Sequence, residues 1–334
     1  MDRNAFLQTL RAGKCQGVYL FEGVEEQLKS SALEALRKKL LPEGMEQLNE
    51  SVLENPTTSA LIAAVETLPF LADKRLVVVR EHAGLLRGEA DAALEKYLTR
   101  VPDTTVVVFC HRGKADARKK LYRVIKDNGT IVSFNTLGEA ELNEWIRQRF
   151  REMGRECSAG TASLLSFTSG SDTALLRAEI DKLVGYAGER TTITDEDVRT
   201  IATRSVEYTV FNMVDAVVAG DERKAFSLLR DMLTAGEERL GILAMLLRQY
   251  RMLQHLKIMQ YERRSPQQMQ ADLGVKPFVL ERYQRQARGL TGGQVKRAVQ
   301  ICMNTEYLVK SGQLNQEGSL EKAMLELFAM KRGA

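Results

Sequence analysis

The sequence predicts an α/β domain built on a parallel sheet, followed by an all-helical remainder. Three observations predict it. Up to residue 138, short apolar runs of strand length alternate with segments of helical periodicity, the pattern of a parallel sheet flanked by helices. At Gly138 the character changes, and from Glu139 onward there is no convincing strand. A length of 334 residues favours two or three domains over one.

Taken in order, residues 1–16 hold a short amphipathic segment with Phe6, Leu7 and Leu10 on one face. Gly17-Val18-Tyr19-Leu20-Phe21 reads as a buried strand, and residues 27–41 as a helix with Leu28, Leu33, Leu36 and Leu40 on its apolar side. A weaker strand falls near 49–53. Pro56 ahead of Thr57-Thr58-Ser59 suits a helix start, and Leu61, Ile62, Val65 and Leu68 carry that helix over 59–68. A strand at 76–80, a helix at 90–99, the strand 105–109, a helix at 115–127 and a strand at 130–134 complete the first domain. Beyond it, helices are expected at 141–153, 159–167, 172–187 and 195–203, the last capped through Thr194. Further helices are expected at 208–219, 221–234, 237–262, 266–272, 277–288, 291–311 and 318–331. Trp145, the single tryptophan, reads as a packed core residue at a domain junction. Leu243, Leu246, Leu247, Tyr250 and Leu253 form one buried stripe, with Arg248, Arg251, Lys257, Arg263 and Arg264 on the outer surface.

Composition narrows the function classes. A charged fraction of 28% and a net charge of +4 are too mild to imply a nucleic-acid or membrane partner by themselves. Cys15, Cys110, Cys157 and Cys302 are scattered, which argues against a zinc ribbon and for a reducing compartment. His82, His111 and His255 are too far apart in sequence for a His-based metal site. No window approaches a membrane span and no signal peptide is seen. These features together read as a cytoplasmic protein that needs neither metal nor cofactor.

Strand, glycine turn and helix at 17–41 is where a phosphate cradle would lie. The form G-x-x-x-x-G-K-[ST] falls on Gly23 to Ser30, with Gly23, Lys29 and Ser30 in place. Leu28 stands where the second glycine belongs, and its restricted φ opposes the tight turn. Glu25 and Glu26 set carboxylates where converging amides should meet an anion. The strand 105–109 ends in Cys110-His111-Arg112, with no acidic residue to hold magnesium. Both halves of a nucleotide site read as broken, and independently so.

Pro69 cannot continue the preceding helix, so Pro69-Phe70-Leu71 falls at a helix-to-strand corner, where chain is usually polar. Two readings compete: the apolar pair folds back under its own helix, or it protrudes as an anchor for a partner's pocket. Lys114, Arg118, Lys119, Lys120, Arg123 and Lys126 are a solvated helix face or a DNA-phosphate contact.

In order and spacing, several segments together resemble the delta-subunit family of the bacterial DNA polymerase III clamp loader. They are Val18-Tyr19-Leu20-Phe21-Glu22-Gly23, Thr67-Leu68-Pro69-Phe70-Leu71 with Arg75-Leu76-Val77-Val78-Val79, and Glu141-Leu142-Asn143-Glu144-Trp145-Ile146. Glu179-Ile180-Asp181-Lys182-Leu183, Ile193-Thr194-Asp195-Glu196-Asp197-Val198 and Val210-Phe211-Asn212-Met213-Val214-Asp215-Ala216 join them. The resemblance implies a degenerate AAA+ clamp-binding domain at 1–138, a helical lid at 139–207, where Arg177 falls near the second sensor arginine of such lids, and a helical collar at 208–334. It implies a subunit of the DNA polymerase III holoenzyme, a DNA-directed DNA polymerase and thus a nucleotidyltransferase, with no catalytic site of its own. It implies that the chain binds and opens the sliding clamp (beta) ring through a wedge of Phe70 and Leu71 shaped by Leu68 and Pro69. The implied partners are the gamma/tau and delta-prime subunits through the collar, and primed DNA in the complex, with Lys114, Arg118 and Lys119 as candidate contacts. The alternatives are an active AAA+ ATPase using Lys29 and Ser30, a delta-prime or ATPase subunit of the same loader, and a stand-alone DNA-binding protein. The Ser-Arg-Cys finger expected of the delta-prime or ATPase subunits is absent.

Overall fold

The computed structural model describes residues 1–86, 91–275 and 277–333. They form two compact units, the first ending at Ala140 and the second starting at Glu141.

In the first unit the strands are β1 (Gly17–Glu22), β2 (Glu50–Glu54), β3 (Arg75–Arg80), β4 (Thr105–Cys110) and β5 (Thr130–Ser133). They form one five-stranded sheet in the order β2-β3-β4-β1-β5, with every neighbouring pair parallel. Sheets of this kind are covered on both faces, so their central strands are apolar throughout. Leu76 to Val79 and Val106 to Phe109 are accordingly all fully buried. One face packs Val77, Val79, Val107 and Phe109 against α4 (Thr58–Glu66), α5 (Ala92–Tyr97) and α6 (Lys120–Asn128). On the opposite side of β1, Tyr19 and Phe21 meet Phe6 of α1 (Arg3–Arg11) edge-on at 5.7 and 5.1 Å. Leu28 and Leu36 of α2 (Glu26–Leu40) are likewise buried.

Some expected boundaries move. The helix expected over 59–68 ends at Glu66, so Leu68 lies beyond it and is open to solvent. The helix expected from residue 115 starts at Lys120, because the Asp116 carboxylate accepts from the Arg118 amide at 3.0 Å and holds a turn there. Lys114, Arg118 and Lys119 therefore lie in a loop. The expected start of a helix at residue 90 falls outside the described residues; α5 runs from Ala92 and passes into a 3-10 turn at Leu98–Arg100. A four-residue helix, α3 (Glu46–Asn49), precedes β2 and has too few residues to show a period.

The second unit begins within α7 (Glu139–Glu152) and continues with α8 (Ala159–Ser169), α9 (Thr173–Ala187) and α10 (Asp195–Ile201). It is not free of strands. β6 (Glu156–Cys157) pairs in parallel with β7 (Thr192–Ile193), each two residues long and too short to show alternation. Trp145, Ile146, Phe150, Leu165, Ile180 and Val198 are buried here. The remainder is α11 (Val206–Ala219), α12 (Glu222–Thr234), α13 (Arg239–Tyr261), α14 (Pro266–Leu273), α15 (Pro277–Arg288), α16 (Gly292–Lys310) and α17 (Ser319–Arg332), sharing one apolar core. A buried polar chain crosses that core. Tyr283 donates to Gln249 at 2.8 Å, Gln249 to Gln286 at 2.9 Å, and Gln286 to Asp215 at 2.7 Å.

At the start of α10, Thr194 and Asp197 form a reciprocal capping box. Arg190 adds a bidentate pair to Asp197 at 2.9 and 3.0 Å. The Arg190 hydrogen bonds, helped by those from Thr194 and opposed by desolvation, bring the Asp197 carboxyl down to about 2. A depressed folded value means that this stability is complete above about pH 4 and is lost as the pH falls towards about 2. With the guanidinium half in solvent, Asp197→Ala should cost about 1–2 kcal/mol in thermal unfolding at neutral pH, and much less at pH about 2.

Candidate functional site

The corner after α4 is assembled by side chains that finish the helix. A helix end leaves carbonyls without partners, and here three successive ones are met. Thr67 Oγ1 donates to Ala63 at 2.8 Å, Arg75 Nε to Ala64 at 3.3 Å and Thr105 Oγ1 to Val65 at 3.0 Å. Pro69, with no N–H to give, then turns the chain away.

The corner itself is apolar and open. Leu68 is 76% exposed, Phe70 55% and Leu71 73%. Leu71 has φ +51, a left-handed conformation that costs a branched residue about 1–2 kcal/mol. The main chain beneath is nonetheless held firmly. Asn49, wholly buried at the end of α3, accepts from the Phe70 N–H at 2.7 Å and donates to the Phe70 carbonyl at 2.9 Å. Its amide also donates to the Met45 carbonyl at 3.1 Å. Arg75, buried at the start of β3, holds the Leu48 carbonyl at 2.9 Å and Ser51 Oγ at 2.7 Å. The apolar side chains thus stand on a backbone fixed from inside. Neither Asn49 nor Arg75 stands out in the sequence; both act through contacts distant in the chain, and no local pattern flags them.

The loop from β1 to α2 is short, and the amides of Gly23 and Glu25 already have partners. Gly23 exchanges hydrogen bonds with Gly113, its N–H giving to the Gly113 carbonyl at 2.7 Å and its carbonyl taking the Gly113 N–H at 3.0 Å. The Glu25 N–H gives to Phe134 at 3.1 Å. Leu28 is core. Lys29 is buried, with Nζ at 2.6 Å from both Glu26 Oε1 and the His111 carbonyl. Ser30 faces solvent. A cavity of about 270 Å³ lies at this edge of the sheet. Glu26, Glu54 and Glu81 line it beside Lys29, Arg80 and Arg112, so carboxylates offset the cations a phosphate would need. The buried His111 ring has Nδ1 3.5 Å from Glu81 Oε2, and neither ring nitrogen makes a hydrogen bond among the described residues.

In the basic loop, Arg118 is bound to Asp116 through Nε at 2.9 Å and Nη2 at 3.0 Å, which offsets much of its charge. Lys114 is exposed, and Lys120 pairs with Glu95 at 2.7 Å. Burial raises all four thiols, to about 11 for Cys110 and Cys157 and about 12 for Cys302, so none is a thiolate at neutral pH. Among the described residues no cluster of His, Cys, Asp or Glu is placed to hold a metal ion, and no helix is long and apolar enough to cross a membrane.

A family model described as "DNA polymerase III, delta subunit" matches residues 19–135, and one described as "DNA polymerase III delta subunit, C-terminal domain" matches residues 207–327. Together they take in well over half of the chain. The chain belongs to the DNA polymerase III delta subunit family. It is similar to the DNA polymerase III subunit delta of Bacillus subtilis (strain 168), with 25% identity over 332 residues, 96% of this chain and 95% of that protein. In structure it is similar to the Bacillus subtilis DNA clamp loader delta protein, with a TM-score of 0.57 and 24% identity, covering 98% of this chain and 99% of that one. The parallel sheet flanked by helices and the helical second unit are thus the fold of that delta protein. The N-terminal match spans both the apolar corner and the occupied loop.

Proposed function

We propose that this delta-family chain is the ring-opening subunit of a clamp loader. It binds the sliding clamp (beta) through Leu68, Pro69, Phe70 and Leu71 and springs the ring open, hydrolysing no ATP itself. The observation that carries this reading is the corner, where exposed Phe70 and Leu71 stand on a main chain pinned by a buried side chain. An anchor that is already ordered loses little conformational entropy on binding, so more of its apolar burial becomes affinity. Opening results if the corner fits the clamp better in its sprung shape than in its closed one. The difference in affinity between the two shapes is then the free energy available to shift the ring.

The remaining assignments rest on the same family reading. Residues 1–138 are the clamp-binding domain, 139–207 the lid and 208–334 the collar that joins gamma/tau and delta-prime subunits. Primed DNA meets the assembled complex, with Lys114, Arg118 and Lys119 as candidate contacts, and the work is done in the cytoplasm. The satisfied amides of Gly23 and Glu25 and the internally bonded Lys29 support a chain that uses no nucleotide of its own.

The deciding experiment mixes the purified chain with clamp loaded on circular DNA and measures ring release with no nucleotide present. Release well above the spontaneous rate is expected. Release that appears only when ATP is added to the isolated chain would instead favour an active ATPase.

A further inference from the structure

The corner is exposed, carries a left-handed leucine and comes directly after a proline, yet the Phe70 peptide is held as tightly as in a sheet. Both polar groups of that peptide residue, its N–H and its carbonyl, are bonded to one side chain, Asn49, at 2.7 and 2.9 Å. Asn49 has no exposed surface. It touches none of the solvent-facing apolar surface and so cannot itself contact a partner there.

We propose that Asn49 is the positioning residue of the anchor, setting the direction in which Phe70 and Leu71 leave the corner. This rests on the clamp-binding reading above. The chemistry requires a donor and an acceptor on one short side chain. One side chain must accept from an N–H and donate to a carbonyl at adjacent points of the same residue, which a carboxylate or an aliphatic side chain cannot do. The amide has a second donor hydrogen, which goes to the Met45 carbonyl at 3.1 Å and fixes its plane. Arg75 holds the carbonyl of Leu48, the residue before Asn49, so the amide sits on a braced junction rather than a loop. Without Asn49, the Phe70 peptide turns to water and the aromatic ring samples many directions. Binding then has to order the segment first.

The test uses the full chain, a purified sliding clamp and three variants. Asn49→Ala should weaken clamp affinity about tenfold, the scale expected when a short binding segment must be ordered on association. Hydrogen exchange at the Phe70 amide should quicken by at least about tenfold, because its acceptor is gone. Asn49→Asp gives an independent measure. Its ionised carboxylate repels the Phe70 and Met45 carbonyls, whereas its protonated form again offers one acceptor and one donor. Its affinity relative to the parent should therefore recover as the pH is lowered from about 8 to about 5.5, because burial raises carboxyl pKa values. Phe70→Ala with Leu71→Ala is the control for the underlying reading. If that double variant binds clamp normally, the clamp-binding reading fails. If it loses binding while Asn49→Ala and Asn49→Asp bind like the parent, the positioning role fails. It fails equally if Asn49→Ala weakens binding without quickening exchange at Phe70.

Discussion

Phe70→Ala combined with Leu71→Ala is expected to lower affinity for the sliding clamp by roughly 100-fold or more while leaving the melting temperature nearly unchanged. The size derives from what each side chain has left to bury. A fully buried Phe or Leu contributes about 1.5–3 kcal/mol, and here about half of Phe70 and three quarters of Leu71 are open in the free chain. The pair therefore offers about 3 kcal/mol, which is roughly two decades in Kd. Stability is spared because the truncated atoms face water and the corner's own hydrogen bonds run through the main chain to Asn49. Titration of clamp against the double variant, with thermal unfolding alongside, checks both halves. Binding at parental strength would remove the corner from the interface. A large fall in melting temperature would mean that the side chains support the fold instead.

The alternation of strand and helix up to Gly138 makes the sheet legible, because a buried parallel strand needs a continuous apolar run and the sequence shows three clear ones, at 17–21, 76–80 and 105–109. The corner is legible in part. Pro69 fixes where the helix must stop, but whether Phe70 and Leu71 turn inward or outward depends on Asn49, 21 positions earlier in the chain. A contact of that separation leaves no period to detect. The four-residue α3 that carries Asn49 is hidden for the same reason, as are the two-residue strands β6 and β7. The basic run from Lys114 resembles a helix face because its charges recur every three or four residues. Asp116 two places before Arg118 is the signal against it, since a short acidic side chain readily closes a turn on the amide two residues on. In the loop after β1, Leu28 and the paired glutamates suggest a failed phosphate site. The hydrogen bonds that occupy the Gly23 and Glu25 amides come from Gly113 and Phe134, far along the chain, and no reading of residues 23–30 alone could supply them.

That occupied loop leads to the larger stability effect. Gly23→Ala is expected to destabilise the first unit by about 3 kcal/mol or more, lowering its melting temperature by on the order of 10 °C. Gly23 has φ +124, where a side chain is strained in any surroundings. The space is also taken: a Cβ there would lie 2.1 Å from the Phe134 oxygen, 2.5 Å from its carbonyl carbon and 2.9 Å from its nitrogen. These are main-chain atoms with partners of their own. The Phe134 N–H gives to Glu22 at 2.7 Å and its carbonyl takes the Glu25 N–H, so relief requires breaking the join between the ends of β1 and β5. Gly113, which bridges Gly23, provides the comparison. Its φ of +74 is also left-handed, but a Cβ there would meet nothing within 4 Å, so Gly113→Ala should cost only about 1 kcal/mol. In a working phosphate loop the first glycine admits a ligand, and its replacement chiefly harms nucleotide binding. Here the same position admits Phe134, and thermal unfolding of the two variants without any nucleotide separates the cases. A marked gap between Gly23→Ala and Gly113→Ala is expected, and equal losses would mean that backbone strain alone, not the close approach of Phe134, makes glycine necessary at position 23.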